Sequence, residues 1–145
     1  RWPQGETARP PLESPNNWEP AMPDATTPVA ALKDAIRRFA EVRGWEPYHS
    51  PKNLTMALAS EVGELCEVFR WQTPEESRAA AADANLRVAI ADEMADVANI
   101  LLLLSVHTGI DLSDAILAKL VKNAIKYPAP EVPSGEGAGA GGASE

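Results

Sequence analysis

Between about residues 27 and 128, apolar residues recur at intervals of three and four, which predicts amphipathic α-helices and no strands. The clearest stripe lies in a predicted helix from Pro51 to about Trp71. It consists of Leu54, Leu58, Val62, Leu65 and Phe69. The longest predicted helix runs from about Ala84 to Thr108, and its apolar run Val97–Val106 covers more than one face. One face is formed by Leu86, Ile90, Met94, Val97, Leu101 and Leu104, and Ile100 and Leu103 add a second.

Residues typical of helix ends bracket these patterns. The expected caps are Thr27 followed by Pro28, Ser50 followed by Pro51, Thr73 with Glu76 three residues on, and Asp111 or Ser113. The expected stops are Gly44, Gly109 and Pro128. A short Ala-rich helical insertion is expected at about 74–82. The last helix is expected to reach about Lys126, with Ala115, Ile116, Leu120 and Ala124 facing inward. The pattern therefore predicts an all-α, four-helix-bundle-type fold.

The ends of the chain differ in composition from this core. Residues 1–26 contain six prolines and no period, which predicts a flexible N-terminal arm. Residues 129–145 are rich in Gly and Ala, which predicts a disordered tail. One all-α domain is accordingly expected at 27–128.

Charge and composition narrow the function classes. A formal net charge of −8 makes a nucleic-acid partner unexpected. The ten-residue run Val97–Val106 is too short to span a bilayer, which takes roughly 20 residues, so no membrane association is expected. The single cysteine, Cys66, fits a reducing, cytoplasmic location and is expected to be a small buried residue. No secretory signal is recognisable, although a preceding segment stays open because the sequence starts at Arg1.

Two pairs of acidic residues suggest chemistry. Glu61 and Glu64 lie three apart, as do Glu93 and Asp96, so each pair shares one side of its predicted helix. If the two helices pack antiparallel, four carboxylates converge. Carboxylate oxygens without nearby Cys or His suit Mg²⁺ or Mn²⁺, and Mg²⁺ usually takes further oxygens from substrate phosphates. These residues indicate a metal-dependent enzyme acting on a phosphate ester or anhydride.

The same residues resemble a known family, the all-α, MazG-like nucleoside triphosphate pyrophosphohydrolases, and most closely its dCTP pyrophosphatase branch. The resemblance covers roughly residues 32–129. It is carried by Glu61-Val62-Gly63-Glu64-Leu65, Glu93-Met94-Ala95-Asp96-Val97, Arg43 to His49, Pro51 to Leu54, Phe69-Arg70-Trp71, and Lys119 through Asn123 to Tyr127-Pro128.

The resemblance implies a reaction and a set of site residues. Such enzymes use Mg²⁺ to hydrolyse a nucleoside triphosphate to the monophosphate and pyrophosphate. The implied metal ligands are Glu61, Glu64, Glu93 and Asp96, with Glu61 as the candidate proton acceptor. The implied base-binding residues are Trp45, Glu46, Pro47, Tyr48, His49, Asn53, Trp71 and the position of Ile100. The candidates for the phosphates are Lys119, Lys122, Asn123, Lys126 and Tyr127. A homo-oligomer with sites at subunit boundaries is implied, either a dimer or a tetramer made of dimers, and the tetramer is favoured.

The sequence departs from the dCTP enzymes at two positions, and two other functions are alternatives to this one. Where the dCTP enzymes carry a base-contacting histidine and a tyrosine, this chain has Ile36 and Ile100, so its choice of base stays open between dCTP and a modified pyrimidine deoxynucleotide. A di-iron bundle is disfavoured because it needs Glu-x-x-His pairs on two facing helices, and the one such spacing in this chain, Glu46 to His49, lies in a predicted loop. A non-catalytic helical oligomerisation module with acidic solvated faces is the main alternative. His107 is expected to be structural.

Overall fold

The computed structural model describes residues 23–130 of the 145-residue chain. Its helices are α1 (Val29–Glu41), α2 (Pro51–Phe69), α3 (Pro74–Ala79), α4 (Ala84–Thr108) and α5 (Leu112–Lys126), with 3₁₀ turns at Glu46–Tyr48 and Ala80–Ala82. Residues 23–130 contain no strand, which confirms the all-α prediction. Apart from 23–26 and 129–130, the predicted arm and tail lie outside the described residues. The domain limits 27–128 stay a prediction.

Local sequence sets most of the helix ends. The Ser50 hydroxyl accepts a hydrogen bond from the Asn53 amide at 3.2 Å, and Pro51 follows as the first residue of α2. Thr73 and Glu76 form the predicted capping box, with bonds of 2.8 and 3.2 Å in the two directions. Gly109 ends α4 in the left-handed region, where glycine lacks the steric penalty of a side chain.

One predicted cap is wrong. Pro28, not Thr27, is the cap residue of α1, and no side chain caps that helix. The Thr27 hydroxyl instead donates to the carbonyl oxygen of Pro23 at 2.9 Å, so the preceding turn uses it. A cap that the sequence analysis missed is Asp83, whose carboxylate accepts from the amides of Asn85 and Leu86 at the start of α4.

The core lies where α4 packs on α2 and α1. Ala40, Leu54 and Leu103 are buried together, and Ile36, Ile100 and Leu104 pack against them. Ile100 and Leu103 of the second predicted face of α4 and Leu104 of the first therefore contribute to this core. The rest of the first face is partly open, since Met94 is 57% exposed. The sequence pattern identified both apolar faces but did not indicate which parts of them the other helices cover.

Several residues expected to be buried are exposed. Cys66 is exposed, because it lies one turn after Val62 on a face of α2 that stays open, where Val62 is itself 42% exposed. On α1 the expected inward residues Val29, Leu32 and Val42 are exposed, and on α5 so are Ile116 and Leu120. In residues 23–130 the buried apolar side chains are Ala40, Leu54, Ala80, Leu102 and Leu103. This is a small core for so many apolar residues.

The chain divides into two compact units, Arg1–Leu112 and Ser113–Glu145. The first contains α1 to α4 and both 3₁₀ turns, and the second contains nearly all of α5. Within residues 23–130 no single helix is both long enough and apolar enough to cross a bilayer. The pair α4 and α5, counted together, passes this test on length and composition alone.

Candidate active site

Carboxylates from α2 and α4 converge. Glu61 and Glu64 come from one turn of α2 and Glu93 from α4, and one carboxylate oxygen of each lies within 4.8 Å of the others. Asp96 lies one turn after Glu93 and lines the same cavity as Glu61. The packing of α2 on α4 thus brings the two predicted acidic pairs together.

The electrostatics of this carboxylate cluster fit a divalent cation. Burial raises the pKa of Glu61, and the neighbouring carboxylates of Glu64, Asp96 and Glu93 raise it further. One carboxylate oxygen of Glu93 is buried without a hydrogen-bond partner in the described part of the chain. A buried acceptor and several converging negative charges are costly alone, and a hard cation with oxygen ligands would satisfy both.

A cavity of about 500 Å³ extends from the cluster along α1 and α4. Its walls are largely apolar because core residues such as Ile36, Ile100 and Leu103 form them. Trp45 and His49 also line the cavity, so together with Ile100 three of the predicted base-binding positions share one space with Glu61 and Asp96. The cavity therefore places largely apolar walls beside the carboxylates of Glu61 and Asp96.

Trp45 is held by the end of α1. Its amide donates to the carbonyl oxygen of Ala40 at 3.1 Å, and its ring meets that of Phe39 edge-on at 5.7 Å. The guanidinium of Arg43 covers the Phe39 ring, 3.5 Å from its centroid, and donates to the Phe39 carbonyl oxygen at 3.1 Å. These contacts fix the indole where it lines the cavity, and the sequence analysis did not assign Phe39 this role.

His49 contacts His107, which the sequence analysis left as structural. The two rings meet edge-on with centroids 5.6 Å apart. Burial lowers the pKa of His49 and the nearby His107 lowers it further, while Glu46 acts in the opposite direction. The Nδ1 atom of His49 is buried without a partner among the described residues. No spacing in the sequence connects these two histidines, because they meet only through the packing of a loop on α4.

The other predicted base-binding residues of this loop do not line the cavity. Tyr48 is 71% exposed, and Glu46 and Pro47 form the exposed 3₁₀ turn. The side-chain amide of Asn53 donates to the carbonyl oxygen of Tyr48 at 3.0 Å, which ties the turn to the start of α2. A role for these residues toward substrate stays a prediction.

Trp71 lies elsewhere. It lines a second cavity of about 510 Å³ between the end of α2 and the α3 region, with Gln72 and Leu86. Trp71 is 84% exposed, and the centroid of its ring lies 5.0 Å from the guanidinium carbon of Arg70. Within one chain, therefore, Trp45 and Trp71 do not share a cavity.

The residues predicted to bind the phosphates lie on or just after α5, in the second unit. Lys119, Lys122 and Lys126 follow one another at spacings of three and four on this helix. Lys126 lies over the ring of Tyr127, with its amino group 5.1 Å from the centroid, and Asn123 is half-buried. Their relation to the carboxylates stays a prediction.

Asn99 is a cavity residue that the sequence analysis missed. It lines the cavity beside Ile100, three residues after Asp96. The available signal was this spacing of three from a predicted metal ligand, which places both side chains on one side of the helix.

The chain combines an all-α fold, a cluster of carboxylates and a cavity lined by aromatic residues, a combination that few protein families share. The sequence model of the MazG-like family matches residues 56–137, and the chain belongs to that family. It is also similar to dCTP pyrophosphatase 1 of Mus musculus, with 38% identity over 112 residues, and of Homo sapiens, with 40% over 107. These alignments cover 74% and 71% of this chain.

The mammalian relatives are longer proteins: the alignments span 65% of the mouse protein and 62% of the human one. A solved structure of a pyrophosphatase from Archaeoglobus fulgidus is matched over more of its length. That likeness has a TM-score of 0.64 and 36% identity, and covers 69% of this chain and 92% of the archaeal one.

Proposed function

We propose that this protein hydrolyses nucleoside triphosphates between the α and β phosphorus atoms, releasing the monophosphate and pyrophosphate. The observation that carries the proposal is the convergence of Glu61, Glu64 and Glu93 at a cavity lined by Trp45 and His49. The similarity to proteins called dCTP pyrophosphatase and pyrophosphatase supports the same reaction.

Glu61, Glu64, Glu93 and Asp96 are the proposed ligands of Mg²⁺, or alternatively Mn²⁺. Bound divalent cations lower the pKa of water and neutralise charge on phosphoryl oxygens. The water oxygen bonds to the α-phosphorus and the bond from that phosphorus to the bridging oxygen breaks, so pyrophosphate leaves. Glu61 accepts the proton of the water, a role that suits a carboxylate whose pKa is raised by burial and by its neighbours.

The aromatic end of the cavity is the proposed binding site for the base. A tryptophan face stacks on a flat heterocycle, and Trp45 is already held in place by Phe39 and Ala40. The lysines of α5 are the proposed partners of the phosphates. The proposed substrate is dCTP, which the names of the mammalian relatives support, or alternatively a modified pyrimidine deoxynucleotide.

The working form is proposed to be a homo-oligomer, for which a tetramer is favoured and a dimer is the alternative. Support comes from the small core of the single chain and from exposed apolar residues such as Val62, Met94 and Leu101 on the helices that carry the carboxylates. Trp45 and Trp71 line separate cavities within one chain, so a site using both tryptophans requires two copies.

The test is product analysis with purified protein. The substrates are the eight standard ribo- and deoxynucleoside triphosphates, dUTP and 5-methyl-dCTP, each with Mg²⁺ and with EDTA. Stoichiometric monophosphate and pyrophosphate are expected from at least one pyrimidine deoxynucleotide in Mg²⁺ and none in EDTA. Release of single phosphates would contradict the proposed bond cleavage.

Matched variants locate the activity. Glu64→Gln and Glu93→Gln are expected to lower kcat at least about 100-fold, because each removes a charge from the cluster. Asp92→Asn removes an exposed carboxylate from the same turn of α4 as Glu93, outside the cluster, and is expected to keep wild-type activity. If no substrate is cleaved and Mg²⁺ with nucleotide leaves the melting temperature unchanged, the non-catalytic oligomerisation module is the better description.

A further inference from the structure

The cavity contains few groups able to read a base. Two of its polar residues, Glu61 and Asp96, belong with the carboxylates. Ile36 and Ile100 contribute only apolar surface, and both pack against the core. Apart from the rings of Trp45 and His49, the side chain of Asn99 is the remaining hydrogen-bonding group that lines the cavity in the described chain.

Asn99 is placed to face a bound nucleoside. Asp96, Asn99, Ile100 and Leu103 all line the cavity and follow one another at helical spacings along α4. Asn99 lies one turn from the carboxylates, on the way to the aromatic end, since three residues of helix rise by about 4.5 Å.

The amide of Asn99 is half-buried and uncommitted. Within residues 23–130 its side chain makes no hydrogen bond, whereas the amide of Asn53 is engaged by the carbonyl oxygen of Tyr48. The polar atoms of Asn99 are not among the buried, unpartnered atoms of the described chain, so they remain accessible at the cavity and free to bond a polar group of a ligand.

We propose that Asn99 is a specificity-determining residue that reads the pairing edge of a pyrimidine and accepts both cytosine and uracil. This inference rests on the proposed function of the same site. Cytosine presents an amino donor at its 4-position, and uracil presents a carbonyl acceptor there. A side-chain amide carries a donor and an acceptor and matches either edge after a half-turn. Because no hydrogen bond within the described chain fixes its orientation, Asn99 can turn to suit either base.

The experiment compares kcat/KM for dCTP, dUTP and CTP in the full chain with Mg²⁺. The wild type is expected to cleave dCTP and dUTP within about 10-fold of each other, and Asn99→Leu to cleave both about 10- to 100-fold more slowly, because a buried hydrogen bond is lost with either base. Asn99→Asp replaces the amide by an acceptor-only group of the same shape. It is expected to raise the dCTP to dUTP ratio at least about 10-fold, since a carboxylate accepts from the cytosine amino group and repels the uracil carbonyl.

The ratio of kcat/KM for dCTP to that for dUTP does not depend on metal binding, because a change at the carboxylates affects both substrates alike. Asn85→Leu, an exposed asparagine in the first turn of α4, is the matched control and should leave all three values unchanged. Circular dichroism checks folding, and Asn99→Ala replaces Asn99→Leu if leucine prevents it.

Three results would overturn the proposal. They are Asn99→Leu within two-fold of wild type on both deoxynucleotides, an unchanged dCTP to dUTP ratio in Asn99→Asp, or an altered dCTP to CTP ratio alone, which would assign Asn99 to the sugar. A wild type that cleaves only purine nucleotides would overturn the role of Asn99 and leave the pyrophosphohydrolase intact. A wild type that cleaves no nucleotide would instead refute the proposed function.

Discussion

At the scale of single residues, the histidine pair is a feature that packing alone creates. His49 lines the cavity. The ring of His107, near the end of α4, contacts the ring of His49. Burial and His107 together lower the pKa of His49, so its imidazole is neutral at pH 7. A neutral ring can stack on a base or hydrogen-bond to it without adding a positive charge beside the carboxylates.

Replacing His107 by Gln removes one of the causes of that lowered pKa. We expect the pKa of His49 to rise in His107→Gln, because the electrostatic effect of His107 that lowers this pKa is removed. Proton NMR measures it directly, since the variant retains a single histidine. His49→Gln, which retains only His107, is the control that assigns the two histidine signals. An unchanged or lower pKa of His49 in His107→Gln would contradict the prediction.

The sign of the linkage to stability follows. A histidine whose folded-state pKa is lowered favours folding above its ordinary pKa of about 6.5, and that contribution is lost as the pH falls toward the folded-state value. In His107→Gln the loss is expected to be smaller over the same window. Urea unfolding between pH 7 and pH 5 measures it.

The carboxylate cluster sets a second residue-scale prediction. Because the pKa of Glu61 is raised, its contribution to stability is present at low pH and lost as the pH rises through the folded-state pKa. At pH 7 in EDTA, Glu61→Gln is therefore expected to stabilise the fold, by at most about 1 kcal/mol after allowing for solvent screening.

Thermal unfolding with and without Mg²⁺ checks this. Wild type should gain more from Mg²⁺ than Glu61→Gln, because a ligand of the folded state stabilises by mass action. Asp92→Asn serves as the control with no expected change in either condition. A Glu61→Gln variant less stable than wild type in EDTA would show that the carboxylate makes a favourable contact in the absence of metal.

At the scale of elements, substitutions at two glycines test backbone strain and helix propensity independently of each other. Gly109 has a positive φ at the end of α4, whereas Gly63 lies inside α2, and a Cβ at either position would meet nothing within 4 Å. Gly109→Ala is expected to destabilise by about 1 kcal/mol through its left-handed backbone. Gly63→Ala is expected to stabilise by about 0.5–1 kcal/mol through helix propensity.

Chemical denaturation of the two variants beside wild type measures the difference. Each serves as the control for the other, because both add the same methyl group in open space. A destabilised Gly63→Ala would mean that the space beside Gly63 is occupied in solution, for which a second copy of the chain is the proposed occupant.

At the scale of the whole molecule, the small core is the dominant feature. Five apolar residues are buried in the described chain, while Val62, Val88, Met94 and others on α2 and α4 remain open. Surfaces of this kind in soluble proteins usually mark contacts with other molecules. The proposed homo-oligomer would cover them and enlarge the core.

Met94→Glu tests this assembly. Placing a charge on that face of α4 is expected to lower the molar mass in solution, because an unpaired carboxylate is costly to bury in an interface. Light scattering after size-exclusion chromatography measures the mass, and circular dichroism confirms that the helices persist. Asn85→Glu adds a charge to the first turn of the same helix and should change nothing. An unchanged mass in Met94→Glu would exclude this face from the interface.

The sequence by itself determined what depends on near neighbours along the chain. The helices, the Thr73–Glu76 capping box, the glycine stop at Gly109 and the pairing of acidic residues three apart all follow from helical periodicity and backbone hydrogen bonding. The family resemblance follows too, because its motifs are runs of a few residues at set intervals. These features need no knowledge of what packs against a helix.

Only the tertiary structure decided which apolar face became the core. Leu103 and Met94 are equally apolar in the pattern, yet Leu103 is buried and Met94 is open, because α1 and α2 cover one side of α4 within this chain. The same packing exposes Cys66, brings His107 to His49 and turns Asn99 into the cavity. Helical periodicity fixes the relative directions of side chains on one helix, but their burial depends on partners far away in the sequence.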